Sequence, residues 1–106
     1  MLRIFPLVLD IIRALRPELE RIALRDRDLE SQLRRALQST ALNIEEGSGV
    51  RGGNRRVHYE RAMGSAREAR AALLVAEAMG YTGAIDPALL NRIDKVVATL
   101  WRLSQA

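Results

Sequence analysis

Cysteine is absent from the 106 residues, which excludes a disulfide framework, a thiolate nucleophile and a thiolate metal site. A single histidine, His58, rules out a multi-histidine metal centre within one chain. Aromatic residues make up only 4%, so the 48% hydrophobic content rests mostly on Ala, Leu, Ile and Val, side chains that favour close helix packing over a bulky aromatic core. Seven glycines and three prolines are too few for a protein of strands and tight turns. The opening Met1-Leu2-Arg3-Ile4-Phe5-Pro6 lacks the long apolar core and small-residue cleavage site of a signal peptide. No apolar run approaches the roughly 20 residues that span a bilayer. The expectation is a cytoplasmic, all-helical protein with no membrane partner. At this length, residues 1–106 form a single domain with a modest stability margin, which self-association would improve.

Lysine is nearly absent too: Lys95 is the one exception among 17 cationic residues. Arginine's planar guanidinium makes bidentate contacts to phosphate that lysine cannot. A GC-rich genome, however, also encodes arginine and alanine in place of lysine and isoleucine. The distribution of charge says more than its kind. Residues 51–70 hold six arginines (Arg51, Arg55, Arg56, Arg61, Arg67, Arg70) against Glu60 and Glu68, a formal +4 that equals the net charge of the whole chain. Everything else balances to zero.

Helical periodicity recurs four times between clear punctuation. The first segment, residues 6–24, places Leu9, Ile12, Leu15, Leu19 and Ile22 at spacings of three and four. Pro6 suits a first helical position, whereas Pro17 removes an internal hydrogen bond and predicts a kink or a break. A second helix, capped by Asp26 or Asp28 and ending at 47–49, lines up Leu29, Leu33, Ala36, Leu37, Thr40, Ala41 and Ile44. The glycine-rich stretch 47–53 breaks the pattern, and Asn54 is placed to cap a third helix over 55–79 that ends at Gly80. That helix is dense in small residues, which permit close approach of a neighbour. Asp86-Pro87 opens a fourth helix running through Leu90, Ile93, Val97, Leu100 and Trp101. Long helices with short links predict an antiparallel, up-down-up-down four-helix bundle.

The second helix carries a further stripe beside its apolar arc: Gln32, Arg35, Ser39, Asn43 and Glu46, with Leu42 on the far flank. Mid-helix Ser39 and Asn43 are weak helix formers, and a solvated face has no need of Leu42. The stripe reads as a polar seam between helices or between subunits, against the plainer reading of an ordinary polar boundary.

The ordered set Gln32-Leu33-Arg34-Arg35-Ala36, Ser39 and Leu42-Asn43-Ile44-Glu45-Glu46-Gly47-Ser48-Gly49 resembles the four-helix-bundle proteins of the 23S rRNA intervening-sequence family. Tyr59, the run Ala62-Met63-Gly64-Ser65-Ala66-Arg67-Glu68 and Gly80-Tyr81 continue the likeness. Glu45 stands where alanine is usual, and Thr40 where a branched aliphatic is common. The resemblance implies a bundle that assembles into a homo-oligomer, with a homopentameric ring as the form it points to. The chain is also similar in architecture to the accessory proteins of diversity-generating retroelements, which are pentameric and bind nucleic acid and reverse transcriptase.

Nothing in the sequence points to catalysis. His58 lies among Arg55, Arg56 and Arg61 and reads as a surface histidine beside a basic turn, without a carboxylate partner. Residues 47–53 lack the lysine and Ser/Thr of a phosphate-binding loop and follow a helix, not a strand. Glu45, Glu46, Glu60 and Glu68 do not repeat the Glu-x-x-His pattern of di-metal bundles. No catalytic residue, metal or cofactor is expected. Binding remains: Arg51, Arg55, Arg56 and Arg61 are candidate phosphate contacts to RNA or DNA, although no aromatic side chains are interleaved for base stacking. A protein-interaction scaffold without a nucleic-acid role is the alternative.

Overall fold

Asp26 stands alone between two helices of 22 residues each, and that single-residue link sets how they meet. Its extended backbone (φ −156°) ends one helix and starts the next. One carboxylate oxygen accepts from the Leu29 amide at 2.9 Å, an N-cap bond that satisfies an otherwise orphaned donor. The other accepts from the Tyr81 hydroxyl at 3.2 Å, tying the link to the turn just beyond the end of a third helix. In the computed structural model, which describes residues 3–105, the helices are α1 (Ile4–Arg25), α2 (Arg27–Ser48), α3 (Gly53–Ala78) and α4 (Pro87–Gln105). No strand occurs among the described residues. The chain is all-α, and each helix packs on its two neighbours in the order α1, α2, α3, α4 and back to α1.

Pro17 does not break α1. The helix runs unbroken through it, because Pro17 and Arg13, whose carbonyl loses its intrahelical partner, both lie on the exposed side, where water can take the place of the missing donor. The helix also begins earlier than the proline suggested, so Pro6 sits within the first turn, where its absent N–H is still no loss. The buried stripe is Ile4, Val8, Ile11, Leu15 and Ile22; Leu9, Ile12 and Leu19 fall to its edges.

α2 buries Leu33, Ala36, Leu37, Thr40, Ala41 and Ile44 as its spacing requires, with Leu29 half-buried. Thr40 is tolerated in the core because its hydroxyl donates to the Ala36 carbonyl at 2.8 Å, leaving the methyl to pack like valine. In α3 the buried face is Tyr59, Ala62, Ser65, Ala66, Ala69, Ala72, Leu73 and Ala76, almost all small, and α2 with α3 is the most extensive pairing in the molecule. Its other small residues, Gly64, Ala71 and Ala78, face outward. Asn54 is not the cap: α3 begins at Gly53, and Gly52, at φ +67°, makes the turn that a side chain would strain. At the other end Gly80, at φ +78°, lets Tyr81 N–H reach the Ala76 carbonyl (2.9 Å) and Gly80 N–H reach that of Glu77 (3.0 Å), a Schellman closure. α4 starts as its Asp-Pro pair dictates, with Asp86 accepting from the Ala88 amide at 2.9 Å. Its core line is Leu89, Ile93, Val96, Leu100 and Ser104, which leaves Leu90 and Val97 at an edge and Trp101 53% exposed.

Gly47 closes the α2–α3 contact. A β-carbon there would lie 2.5 Å from Cε1 and 2.8 Å from Cδ1 of the Tyr59 ring, which is itself buried. Burial raises the Tyr59 phenol above its ordinary pKa, an effect partly offset by the Arg55 charge. At Tyr81, desolvation first and the Asp26 carboxylate second act in the same direction. Gly47→Ala is expected to cost about 1–3 kcal/mol through overpacking, read as a lower denaturant midpoint with an unchanged slope. A loss under about 0.5 kcal/mol would mean that the ring moves aside freely.

Candidate functional site

The α2–α3 turn divides its arginines by role. Arg55 turns back under the end of α2, its Nε donating to the Val50 carbonyl at 2.8 Å and, more weakly, to that of Gly47 at 3.3 Å. Those carbonyls belong to a helix end and the turn just after it, where a cation is also favoured by the helix dipole. Arg55 is therefore in part a structural cap. Arg51, Arg56 and Arg61 are exposed, as is Arg67 further along α3. Among the described residues, none of these five arginines forms an ion pair. Only Arg70 does, its Nε lying 2.7 Å from an Asp94 oxygen in poor hydrogen-bond alignment. The cations that the turn contributes thus stand without an ion-pair partner among the described residues.

Beside the turn, Gly52, Gly53, Arg55, Arg56 and Leu103 line an open groove of about 390 Å³. Leu103 comes from the end of α4, so the fold brings the last turn of the chain against the start of α3. Sequence spacing alone could not have placed Leu103 there.

The polar stripe of α2 splits into two parts. Ser39, Asn43 and Glu46 turn toward α3. The Ser65 hydroxyl donates to Ser39 Oγ at 2.8 Å, and Asn43 Nδ2 donates to the same oxygen at 3.1 Å and to the Ser39 carbonyl at 2.9 Å. Asn43 Oδ1 is 3.0 Å from His58 Nδ1, with a Glu46 carboxylate oxygen 3.4 Å from the same nitrogen. Both neighbours of Nδ1 are acceptors, so the network assigns the proton to that nitrogen. Gln32 and Arg35 take no part in it.

His58 is consequently not the partnerless surface residue that its arginine neighbours suggested. Its side chain is 20% exposed and has a carboxylate beside it. The signal was present in the heptad spacing His58, Ser65, Ala72, which puts all three on the edge of α3 that meets α2. Charged neighbours within the turn point away from partners across the helix pair. The network is hydrogen-bonded structure with its one ionisable pair at the rim. Among the described residues, no group of three or more His, Cys, Asp or Glu side chains is arranged to hold a metal ion. No helix is long and apolar enough to cross a membrane.

Compared with known families, residues 3–102 match the model of the 23S rRNA-intervening sequence protein family, so the match takes in the two terminal helices as well as the α2–α3 motif. No curated protein and no solved structure matches the chain.

Asn43→Ala deprives His58 and Ser39 of a shared partner and is expected to cost about 1–2 kcal/mol. In a double-mutant cycle with His58→Ala, thermal or chemical denaturation is expected to give a coupling of about 0.5–1.5 kcal/mol. Gln32→Ala and Arg35→Ala stay within about 0.5 kcal/mol of the unsubstituted chain. Additive losses at Asn43 and His58 would show that the contact holds nothing together.

Proposed function

Because the chain belongs to the 23S rRNA-intervening sequence protein family, we propose that it is a non-enzymatic, oligomeric helical bundle that binds nucleic acid through the arginines of the α2–α3 turn and the start of α3. The observation that carries this reading is the set of exposed cations at Arg51, Arg56, Arg61 and Arg67, none of them ion-paired among the described residues, in a segment holding the whole net charge. Phosphate contacts from such residues fix a polyanion electrostatically and carry no sequence information of their own. The family description names an intervening sequence of 23S rRNA, which supports RNA as the first ligand to try. We place the protein in the cytoplasm and assign it no catalytic residue, cofactor or metal.

The helices are read as antiparallel, up-down-up-down. Supporting this, ascending positions on α2 meet descending positions beyond and along α3: Asp26 with Tyr81, Ser39 with Ser65, Asn43 with His58. Self-association into a homo-oligomer, a ring of five by the family resemblance, is supported by apolar side chains left outside the core. Leu42 is 63% exposed on the outer face of α2, and Val75 and Met79 are 49% and 58% exposed near the end of α3. A ring would repeat the basic turn around an axis and steepen its salt dependence.

Two measurements test the reading. Light scattering after size exclusion should give a multiple of the 11.9 kDa chain; a single-subunit mass would remove the ring. Binding of a labelled RNA across a salt series should show a steep slope. In an Arg51/Arg56/Arg61 triple alanine variant that slope should fall by about 0.7–0.9 for each phosphate that the site no longer neutralises. Arg55 is left in place there because its removal would also uncap α2. An unchanged slope and affinity would exclude these arginines, and co-purification of a defined protein after nuclease treatment would then favour the scaffold alternative.

A further inference from the structure

The nucleic-acid reading concerns phosphates alone, yet the fold sets an exposed aromatic on the α4 edge that faces two of the same cations, Arg56 and Arg67. From the geometry of α3 and α4 we infer that Trp101 is a base-stacking residue and that the ligand is single-stranded nucleic acid with unpaired bases. The inference rests on the reading above and adds to it the class of partner.

The Arg70–Asp94 contact at 2.7 Å sets the register between the two helices. Trp101 lies seven residues after Asp94, two helical turns along the same edge of α4, about 10 Å toward its C-terminus. On the facing edge of α3, Arg67 lies about 4.5 Å and Arg56 about 21 Å from Arg70 in that direction, so the two exposed arginines bracket the tryptophan along the axis. Glu60 is the carboxylate between them. The groove lined by Leu103, Arg55 and Arg56 lies on another side of α4, two residues and about 200° around the helix from Trp101, and shows only that the end of α4 meets the start of α3. The edge therefore combines what strand binding needs: cations that track a phosphate backbone, and an aromatic ring free for a base to cover.

Trp101 is 53% exposed, whereas the core-facing residues around it, Leu100 and Ser104, are buried at 0% and 3%. Packing in the subunit thus does not account for a tryptophan at this position. A duplex offers no free base face, so the ring contributes only to single-strand binding. The missing aromatic interleaving in the basic segment is supplied from a position some forty residues downstream, by the chain fold.

Trp101 is the chain's single tryptophan, so its fluorescence reports on this site alone. Oligo(U), oligo(dT) and a mixed-sequence RNA duplex are titrated into the full protein, with end-label anisotropy recorded alongside tryptophan emission. The expected result is quenching by both single strands but not by the duplex. Trp101→Ala should weaken single-strand binding by roughly 5- to 100-fold, Trp101→Phe by much less, and duplex binding should stay within about twofold, with helical circular dichroism unchanged. Quenching by oligo(U) without oligo(dT) would narrow the ligand to RNA within the same inference. Strand binding with silent emission and an unaffected Trp101→Ala variant would overturn it and leave the arginine reading standing. Emission already shielded from iodide in the free protein and unmoved by oligonucleotide would overturn it in favour of a second copy of the chain covering the ring. Absence of binding to all three probes would overturn both readings.

Discussion

The seating of α3 against α2 depends on side-chain size. Ala62, Ser65, Ala66, Ala69, Ala72 and Ala76 give α3 a face with almost no side-chain depth, so the helix axes can approach closely and the contact must be made by near neighbours on both sides. Such an interface tolerates little error. A single β-carbon at Gly47 would collide with the Tyr59 ring, and interiors packed at crystal-like density relax only in part around an added group. The polar atoms caught at the edge of the same contact, on Ser39, Asn43, Ser65 and His58, satisfy one another. A half-satisfied set there would cost more than an apolar edge. Small residues bring the helices together, and the hydrogen bonds fix their register.

From that register follows the shape of the basic turn. With α2 and α3 held close, only Gly49 to Gly52 separate them, and Gly52 takes a backbone conformation that an L side chain would resist. Arg55 is drawn under the end of α2 by two carbonyls, which stiffens the turn from inside. Its neighbours Arg51 and Arg56 are then left outside, without an ion pair among the described residues. A run of arginines that looks uniform along the chain thus becomes one anchor and several free charges, and the distinction is made by the helix end, not by the residue type.

Fold class, the four helices and most of the α2 core are legible because they depend on spacings of three and four, which survive without knowledge of neighbours. Asp26 and Asp86-Pro87 are readable as caps for the same reason: capping is local chemistry. Other features are illegible for want of the tertiary partner. Pro17 can be judged only once its side of α1 is known to face water. Gly47 has the look of a helix breaker, although its role is to admit an aromatic ring from twelve residues away. His58 has arginines beside it in sequence, whereas its acceptors, Asn43 and Glu46, lie on another helix. Trp101 fits an apolar stripe by spacing; the line that α4 buries passes through Leu100 and Ser104 instead.

These placements bear on how function is divided within so small a chain. Outside residues 51–70 the formal charge balances to zero, so the remainder of the bundle presents no long-range field of one sign and contributes little electrostatic steering of its own. The charged segment begins where the tightest helix pair ends, and the last turns of α4 pack beside it. On the proposed reading, recognition chemistry falls in one half of an elongated molecule, 43 Å in its longest dimension, while the opposite end, with Asp26, Tyr81 and the Schellman closure at Gly80, holds the helices in place. Exchanging Arg51, Arg56, Arg61 or Trp101 would leave the packing undisturbed, because the two arginines of this segment that the packing uses, Arg55 on backbone carbonyls and Arg70 on Asp94, lie outside that set.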